Sequence, residues 1–268
     1  MQLFNTLDSN NIDLLDVNNG YDKVFVYIVD MDKYTNNLDQ FWSFLSIGER
    51  KQARSYYTKL LTDRYVISHG ILRYILSYYT KQPAHSLKFI NNRYGKPFLK
   101  DSNIQFNMSH SYNMVYYIVA HNYKVGIDIE FHDNTLDVME LSNLVLTPKE
   151  ITLLESFSIE ERYKTFYTLW ARKEALVKAI GKGLSYPINT IEAMPIASYD
   201  KITLTSNNNN AKQELYSYTL RTTPNYSGAI ATETKIDVIV YLEAINQQGV
   251  FEGATLDVTY QVYESWLD

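Results

Sequence analysis

Two short stretches of this 268-residue chain carry the side chains best suited to chemistry. One is Gly126-Ile127-Asp128-Ile129-Glu130, the other Trp170-Ala171-Arg172-Lys173-Glu174-Ala175-Leu176-Val177-Lys178. The first reads as a strand, where alternate side chains share a face, so Asp128 and Glu130 point the same way. The second reads as a helix, with Glu174 and Lys178 one turn apart on one face. Three carboxylates and an ammonium are the inventory that binds a hard divalent ion and the phosphates it bridges. Together the stretches read as two parts of a Mg2+–pyrophosphate site.

Each also has a plainer reading. Acidic pairs at strand ends are commonly solvated, and a Glu–Lys pair at i,i+4 on a surface contributes only ~0.3–0.5 kcal/mol. The helical phase distinguishes the cases. At ~100° per residue, Tyr163, Phe166, Tyr167, Trp170 and Val177 share one broad apolar arc, and Glu174 falls inside it. A carboxylate turned toward a core requires a partner or a metal. Lys173 interrupts the same arc. The helix should stop at Gly181-Lys182-Gly183, where a glycine takes the left-handed cap conformation.

Two further polar clusters precede these. Arg93-Tyr94-Gly95-Lys96-Pro97 is a turn carrying a lysine, with Pro97 biasing Lys96 toward an extended backbone. It lacks the glycine spacing and the Lys–Ser/Thr pair of a P-loop. Phe106-Asn107-Met108-Ser109-His110-Ser111 sets polar residues at the end of an apolar strand. A serine hydrolase is rejected, because strand neighbours face opposite ways and no Gly-x-Ser-x-Gly elbow is present. His69, His85, His121 and His132 show no metal-ligand spacing.

The elements that must position these residues follow from periodicity. Val24 to Val29 is a buried strand, and a helical region begins near Leu38. Ser46 and Glu49 have capping-box spacing for a second helix, and Thr62 or Asp63 caps a third. Strands are expected over Ser86 to Ile90, Ile104 to Met108, Met114 to Ala120 and Lys124 to Glu130. Helices follow over about Leu136 to Leu154 and Ile159 to Ile180, the latter with a Ser158–Glu161 capping box. Strands over Ile202 to Thr205, Glu214 to Arg221, Ala229 to Thr232 and Lys235 to Leu242 come last. Asn207 to Asn210 is read as a solvated hairpin tip, and the tail after Ile245 has no clear period. The order strand–helices–strands occurs twice, which predicts two similar α/β halves, 1–122 and 123–268, meeting near His121 to Tyr123.

Composition bounds the rest. A net charge of −5 removes the electrostatic case for nucleic-acid binding. A basic cluster, Arg50, Lys51, Arg54, Lys59 and Arg64, leaves room for local anion binding. With no cysteine, disulfides, thiolate zinc sites and cysteine nucleophiles are excluded. Met1-Gln2-Leu3-Phe4-Asn5 is not a secretory leader, and no apolar run approaches the ~20 residues of a membrane helix. The expectation is a cytoplasmic protein with no membrane partner.

Taken in order, Arg93 to Pro97, Phe106 to Ser111, Gly126 to Glu130, and Trp170 to Lys178 with Gly181-Lys182-Gly183-Leu184 resemble the motif series of the Sfp-type 4′-phosphopantetheinyl transferases. Phe44 to Arg73 resembles the family's two N-terminal helices. The resemblance implies an α+β fold of two α/β halves in a pseudo-twofold monomer, with coenzyme A in the cleft between them. It implies transfer of the phosphopantetheine arm to a serine of an apo acyl or peptidyl carrier protein, releasing adenosine 3′,5′-bisphosphate.

By position, Asp128, Glu130 and Glu174 would bind Mg2+, or Mn2+ in its place, with the pyrophosphate of coenzyme A. Lys178 would neutralise the pyrophosphate or the leaving group. Lys96 and His110 would hold the nucleotide, with Gly95, Pro97 and Ser109 shaping the pocket. Glu150, in Leu146-Thr147-Pro148-Lys149-Glu150, matches a further acidic position near the metal. Glu174 is expected to accept the serine proton, with Glu150 as the alternative. One departure stands out: two positions where some members carry lysines for the 3′-phosphate are Glu49 and Gln52. Arg50, Lys51 or Arg54 is then expected to take that contact, and Arg64 aligns with a basic position.

The competing readings are a Mg2+-dependent phosphodiesterase or nucleotide hydrolase acting on coenzyme A, and a non-catalytic coenzyme A- or carrier-binding module. Carrier docking is expected around Leu136 to Leu154, and the acceptor could serve fatty-acid, polyketide or nonribosomal-peptide synthesis.

Overall fold

The computed structural model describes residues 4–6, 22–194, 199–205, 212–243 and 257–262. Strand β1 is Phe4–Thr6 and β2 is Lys23–Asp30. A 3-10 turn over Met31–Asn37 leads into α1, Leu38–Phe44. Helix α2, Ile47–Arg54, opens on the capping box read from the sequence: Ser46 accepts from the Glu49 amide and Glu49 from the Ser46 amide. Helix α3, Lys59–Thr80, is capped by Thr58, not by Thr62 or Asp63. Thr62 lies one turn inside, its hydroxyl on the carbonyls of Ala53 and Thr58.

Strands β3 (Phe89–Asn91) and β4 (Pro97–Leu99) form a small hairpin that carries the Arg93–Pro97 turn. The expected strand from Ser86 begins later, because Ala84–Ser86 is a 3-10 turn. Strands β5 (Ile104–Ser111), β6 (Met114–His121) and β7 (Val125–Phe131) follow. The single helix expected over Leu136 to Leu154 is two helices, α4 (Val138–Val145) and α5 (Pro148–Glu155). Thr147 caps α5 in a second capping box and Pro148 occupies its first turn, a combination that starts a helix. Helix α6 spans Ile159–Ile180, with the Ser158–Glu161 box at one end and left-handed Gly181 (φ 68°) at the other. Strands β8 (Tyr199–Thr205), β9 (Lys212–Thr219), β10 (Tyr226–Thr232), β11 (Val238–Glu243) and β12 (Asp257–Val262) complete the described chain. The expected Asn207 to Asn210 tip lies outside the described residues.

The strands form one six-stranded sheet, β1-β12-β11-β2-β6-β5, and one four-stranded sheet, β7-β10-β9-β8. In each, the strand before the helices pairs antiparallel with a later strand, which pairs antiparallel with its predecessor. Thus β2-β6-β5 and β7-β10-β9 are the same topology used twice. Strand β11 then returns to lie parallel to β2, a non-local pairing with no signal in the local sequence.

Alternation along the strands sorts the core into layers. Phe25, Tyr27 and Val29 pack under α3 with Ile67, Ile71 and Leu76. Val24 and Val26 face the other way, meeting Ile127, Ile129 and Ile230 between the two sheets. Ala229 and Ala231 turn from that interface toward Ala171, Ala175 and Leu176 of α6. The order is helices, sheet, sheet, helix, an α+β architecture. Among the described residues no helix is long and apolar enough to cross a membrane.

Candidate active site

Strands β5 and β7 are the edges of their respective sheets, and polar side chains of β5 join them. Asn107 Oδ1 accepts from the Ile127 amide at 3.0 Å, and Ser111 Oγ accepts from the Phe131 amide at 3.0 Å. Between them Ser109 Oγ donates to Asp128 Oδ1 at 2.8 Å. Ser111 also reaches Glu130 Oε2 at 3.5 Å. Asn107, Ser109 and Ser111 recur every second residue, so one face of β5 meets the acidic face of β7. That alternation was visible in the sequence, yet only Ser109 was assigned a place; Asn107 and Ser111 are the supporting residues it missed.

Helix α6 lies directly on β7 because Gly126 lets it. A Cβ on Gly126 would sit 2.1 Å from the Ala175 carbonyl oxygen and 2.4 Å from the Ala179 nitrogen. This close approach delivers Lys178. Its Nζ donates to Asp128 Oδ1 at 2.6 Å and to Ser109 Oγ at 2.9 Å. Asp128 is only 2% exposed, and its second oxygen, Oδ2, is buried with no hydrogen-bond partner.

Glu130 is pushed up to about 8, by burial first and then by the negative charges of Asp128 and Glu174, against the pull of Lys178. Glu174, half-buried on α6, is raised by burial and by Asp128, while Lys178 lowers it. The structure thus brings Asp128, Glu130, Glu174 and Lys178 together. Among the described residues no three His, Asp or Glu side chains converge into a finished metal cage. The donor set nonetheless fits a hard cation: an orphaned buried carboxylate oxygen, and two neighbouring carboxyls whose negative charge costs free energy until one arrives.

The nucleotide-side residues are placed differently from one another. Gly95 (φ 93°) and Pro97 line a cavity of ≈ 850 Å3 with Glu49, Tyr65, His69, Arg73 and Phe106. Lys96 turns away from it. Its Nζ donates to the carbonyls of Val125, Lys178 and Ala179 at 2.7, 2.7 and 3.2 Å. It therefore caps the C-terminus of α6, where Asn92 Nδ2 also donates to Gly181 O at 2.7 Å. Burial, then Lys124, push the Lys96 ammonium down to about 7, and Glu233 opposes them.

His110 faces solvent, on the opposite side of β5 from Ser109. It is held below its ordinary value by partial burial, then by Lys178 and Arg64. Arg64 lies over the Tyr112 ring at 5.5 Å, and its Nε is buried without a hydrogen-bond partner. Arg50 donates to the carbonyls of Trp42 and Ser43, Arg54 covers the Trp42 ring, and Lys51 is exposed.

Two acidic residues prove structural. Glu49 caps α2 and holds buried Arg73 through Nε at 2.7 and 3.0 Å. Glu150, the alternative proton acceptor, is fully buried and committed. It pairs with Lys173 at 2.5 Å and accepts from the amides of Thr147 and Ala193, which removes it from solvent and substrate.

Comparison with known proteins gives the family. Residues 124–231, which hold β7, α6 and the second sheet, match the model of the 4′-phosphopantetheinyl transferase superfamily. The 4′-phosphopantetheinyl transferase HetI of Nostoc sp. is 33% identical over 168 residues, 61% of this chain and 71% of that protein. The 4′-phosphopantetheinyl transferase gsp of Aneurinibacillus migulanus is 32% identical, over 59% of this chain and 67% of that protein. The transferase Sfp of Bacillus subtilis is 29% identical, over 63% and 74%. The chain belongs to the 4′-phosphopantetheinyl transferase superfamily, and within it to the Sfp type.

Proposed function

We propose that this chain transfers the 4′-phosphopantetheine arm of coenzyme A to the acceptor serine of an apo acyl or peptidyl carrier protein, as a cytoplasmic monomer. The observation that carries the reading is the Asp128–Ser109–Lys178 cluster with its orphaned Asp128 oxygen, beside Glu130 and Glu174. Residues 1–122 and 123–268 are taken as the two halves, β11 and β12 being added to the first sheet.

Asp128, Glu130 and Glu174 would hold Mg2+, or Mn2+, which when bound supplies charge neutralisation at the pyrophosphate of coenzyme A. Lys178, whose ammonium balances Asp128 here, supplies the cation for the departing phosphate. Glu174 accepts the proton of the carrier serine as its oxygen bonds to the pantetheine-side phosphorus. The pyrophosphate P–O bond breaks and adenosine 3′,5′-bisphosphate leaves. Position suits Glu174 to that role, half-buried on α6 beside Asp128 and Lys178. The cavity beside Gly95 and Pro97 is assigned to the nucleotide, with Arg73, Lys88 and Lys100 the basic residues of its lining; His110, Arg64 and Lys51 are outside that lining. Lys96 serves by fixing the end of α6, which carries Lys178.

The test is intact-mass analysis of apo carrier proteins incubated with the chain, coenzyme A and Mg2+, with and without chelator. A metal-dependent gain of one phosphopantetheine group, lost in Asp128→Ala, is expected. Cleavage of coenzyme A with no gain on any carrier would establish the hydrolase reading instead.

A further inference from the structure

Among the described residues five non-glycine positions have positive φ, and Tyr112 is the one aromatic side chain among them. It sits in the β5–β6 turn at φ 52°, a left-handed conformation that disfavours a bulky side chain, and is 63% exposed. Its ring stacks on Phe131 at 5.0 Å, and the Arg64 guanidinium lies 5.5 Å from the ring centre. Phe131 directly follows Glu130, and Ser111 directly precedes Tyr112. The exposed aromatic thus stands at the rim of the candidate active site.

From Arg64 the surface continues along α3. Leu60 and Leu61 lie four and three residues before Arg64, hence on its side of the helix, and are 56% and 46% exposed. Tyr57, just ahead of the helix, is fully exposed. Four large apolar side chains thus run from the first turn of α3 to the active-site rim. Residues 50–64 also hold five cations (Arg50, Lys51, Arg54, Lys59 and Arg64) against one carboxylate, Asp63, in a chain whose net charge is −5. A small anion would use the cations and leave the leucines and tyrosines in water. An apolar stripe within a segment of net positive charge, even with Lys59 paired to Asp63, fits an acidic protein surface with an apolar face.

We propose that the Tyr57–Leu60–Leu61 face of α3, continued by Arg64 and Tyr112, is a docking wall for the acidic carrier protein whose serine is modified, in addition to the expected surface near α4. This rests on the transferase reading, since that reading supplies a protein acceptor at the adjacent site. Tyr112 then explains its own conformation: a glycine would suit the turn, but only a ring covers Phe131 and meets the incoming chain.

The test compares Tyr112→Gly, Tyr57→Ala and Leu60→Glu/Leu61→Glu with the wild type. Steady-state transfer and calorimetric binding of a panel of apo acyl and peptidyl carrier proteins are measured. Each variant should raise the carrier KM and weaken carrier binding by about tenfold, with the coenzyme A KM unchanged. Tyr112→Gly should do so while keeping or raising the melting temperature, which a merely structural residue would not do. Tyr57 is fully exposed, so its truncation keeps the test valid if a leucine variant folds poorly. Unchanged carrier binding in Tyr112→Gly and Tyr57→Ala would overturn the proposal, as would parallel loss of coenzyme A binding. A wild-type dimer that Leu60→Glu/Leu61→Glu dissolves would assign the face to a second copy and overturn it too. A wild type that binds carriers through this face without transferring to them would overturn the transferase reading alone.

Discussion

Lys173 and Glu150 form an ion pair with both side chains fully buried, 2.5 Å apart, joining α6 to the start of α5. Lys173 also donates to Val145 O at 2.8 Å, so one ammonium ties α4 and α5 to the helix that carries Glu174. Burial pulls the Lys173 ammonium down, while Glu150 supports its charge. The pair thus organises the site without touching substrate. Removing one member strands the other charge, which costs about 3–5 kcal/mol, whereas replacing both with apolar groups is often close to neutral. Glu150→Gln should therefore lose most of that stability in urea denaturation, and Lys173→Met/Glu150→Gln, which keeps an acceptor for the Thr147 and Ala193 amides, should recover part of it. Equal losses in the single and double variants would contradict this.

A second expectation concerns the contact between strand and helix. Gly126→Ala places a methyl group 2.1 Å from the Ala175 carbonyl oxygen, against backbone that cannot step aside alone. Helix α6 must move, carrying Lys178 from Asp128. Overpacking of this kind costs about 1–3 kcal/mol, and a shift approaching 1 Å in a reacting group can cost about a hundredfold in rate. Thermal melting and single-turnover transfer should both fall, turnover further than stability alone explains.

Lys96→Met tests the cap at the other end of that helix. Three carbonyl oxygens lose their donor, a loss of about 1–3 kcal/mol. Coenzyme A affinity should change less than stability, because the ammonium points at backbone and not into the cavity. A large loss of coenzyme A binding with unchanged stability would restore Lys96 as a direct nucleotide ligand.

His69 gives a pH dependence. Its Nδ1 lies 3.0 Å from Tyr65 O and its ring stacks on Tyr65 at 3.8 Å. Burial first, with His110 and Arg73 adding to it, pushes it down to about 4, although Tyr65 O and Glu49 oppose the shift. Unfolded histidine titrates near 6.5, so between about 6.5 and 4 the unfolded chain binds the extra proton. The stability present above 6.5 is lost as pH falls through that window, on the order of 3 kcal/mol. His69→Gln should flatten this part of the stability–pH curve, as read by urea midpoints at pH 4.5 and 7.

What the sequence revealed and what it concealed divide by range. Asp128 with Glu130, Ser46 with Glu49, and Ser158 with Glu161 were legible because strand alternation and helix capping are rules of two to four residues. Gly181 was legible as a cap for the same reason. The break at Thr147 was missed although its signal, a Thr-Pro-x-Glu capping box, was equally local. The partners of Glu150 and Lys96 were not legible. Glu150 meets a lysine 23 positions away, and Lys96 meets carbonyls 82 and 83 positions away. Nothing in either residue's neighbours distinguishes a ligand for phosphate from a clamp for backbone. The parallel return of β11 to β2 is non-local in the same sense.

The proposed cation site yields the last expectation. Glu130 is crowded by Asp128 and Glu174, and the protein bears that repulsion when no ion is bound. Glu130→Gln should therefore raise the melting temperature in chelator, the opposite of the usual effect of altering a half-buried residue. A ligand that binds only the folded state stabilises it by about 2.7 kcal/mol at a hundred times its Kd. Wild-type melting temperature should accordingly climb with Mg2+ or Mn2+ before any coenzyme A is added, and the climb should be smaller in Glu130→Gln. The two effects have opposite signs, so a general loss of packing cannot imitate them. Equal Mg2+ responses in both proteins, with no gain in chelator, would remove Glu130 from the cation site and leave Asp128 and Glu174 to hold it.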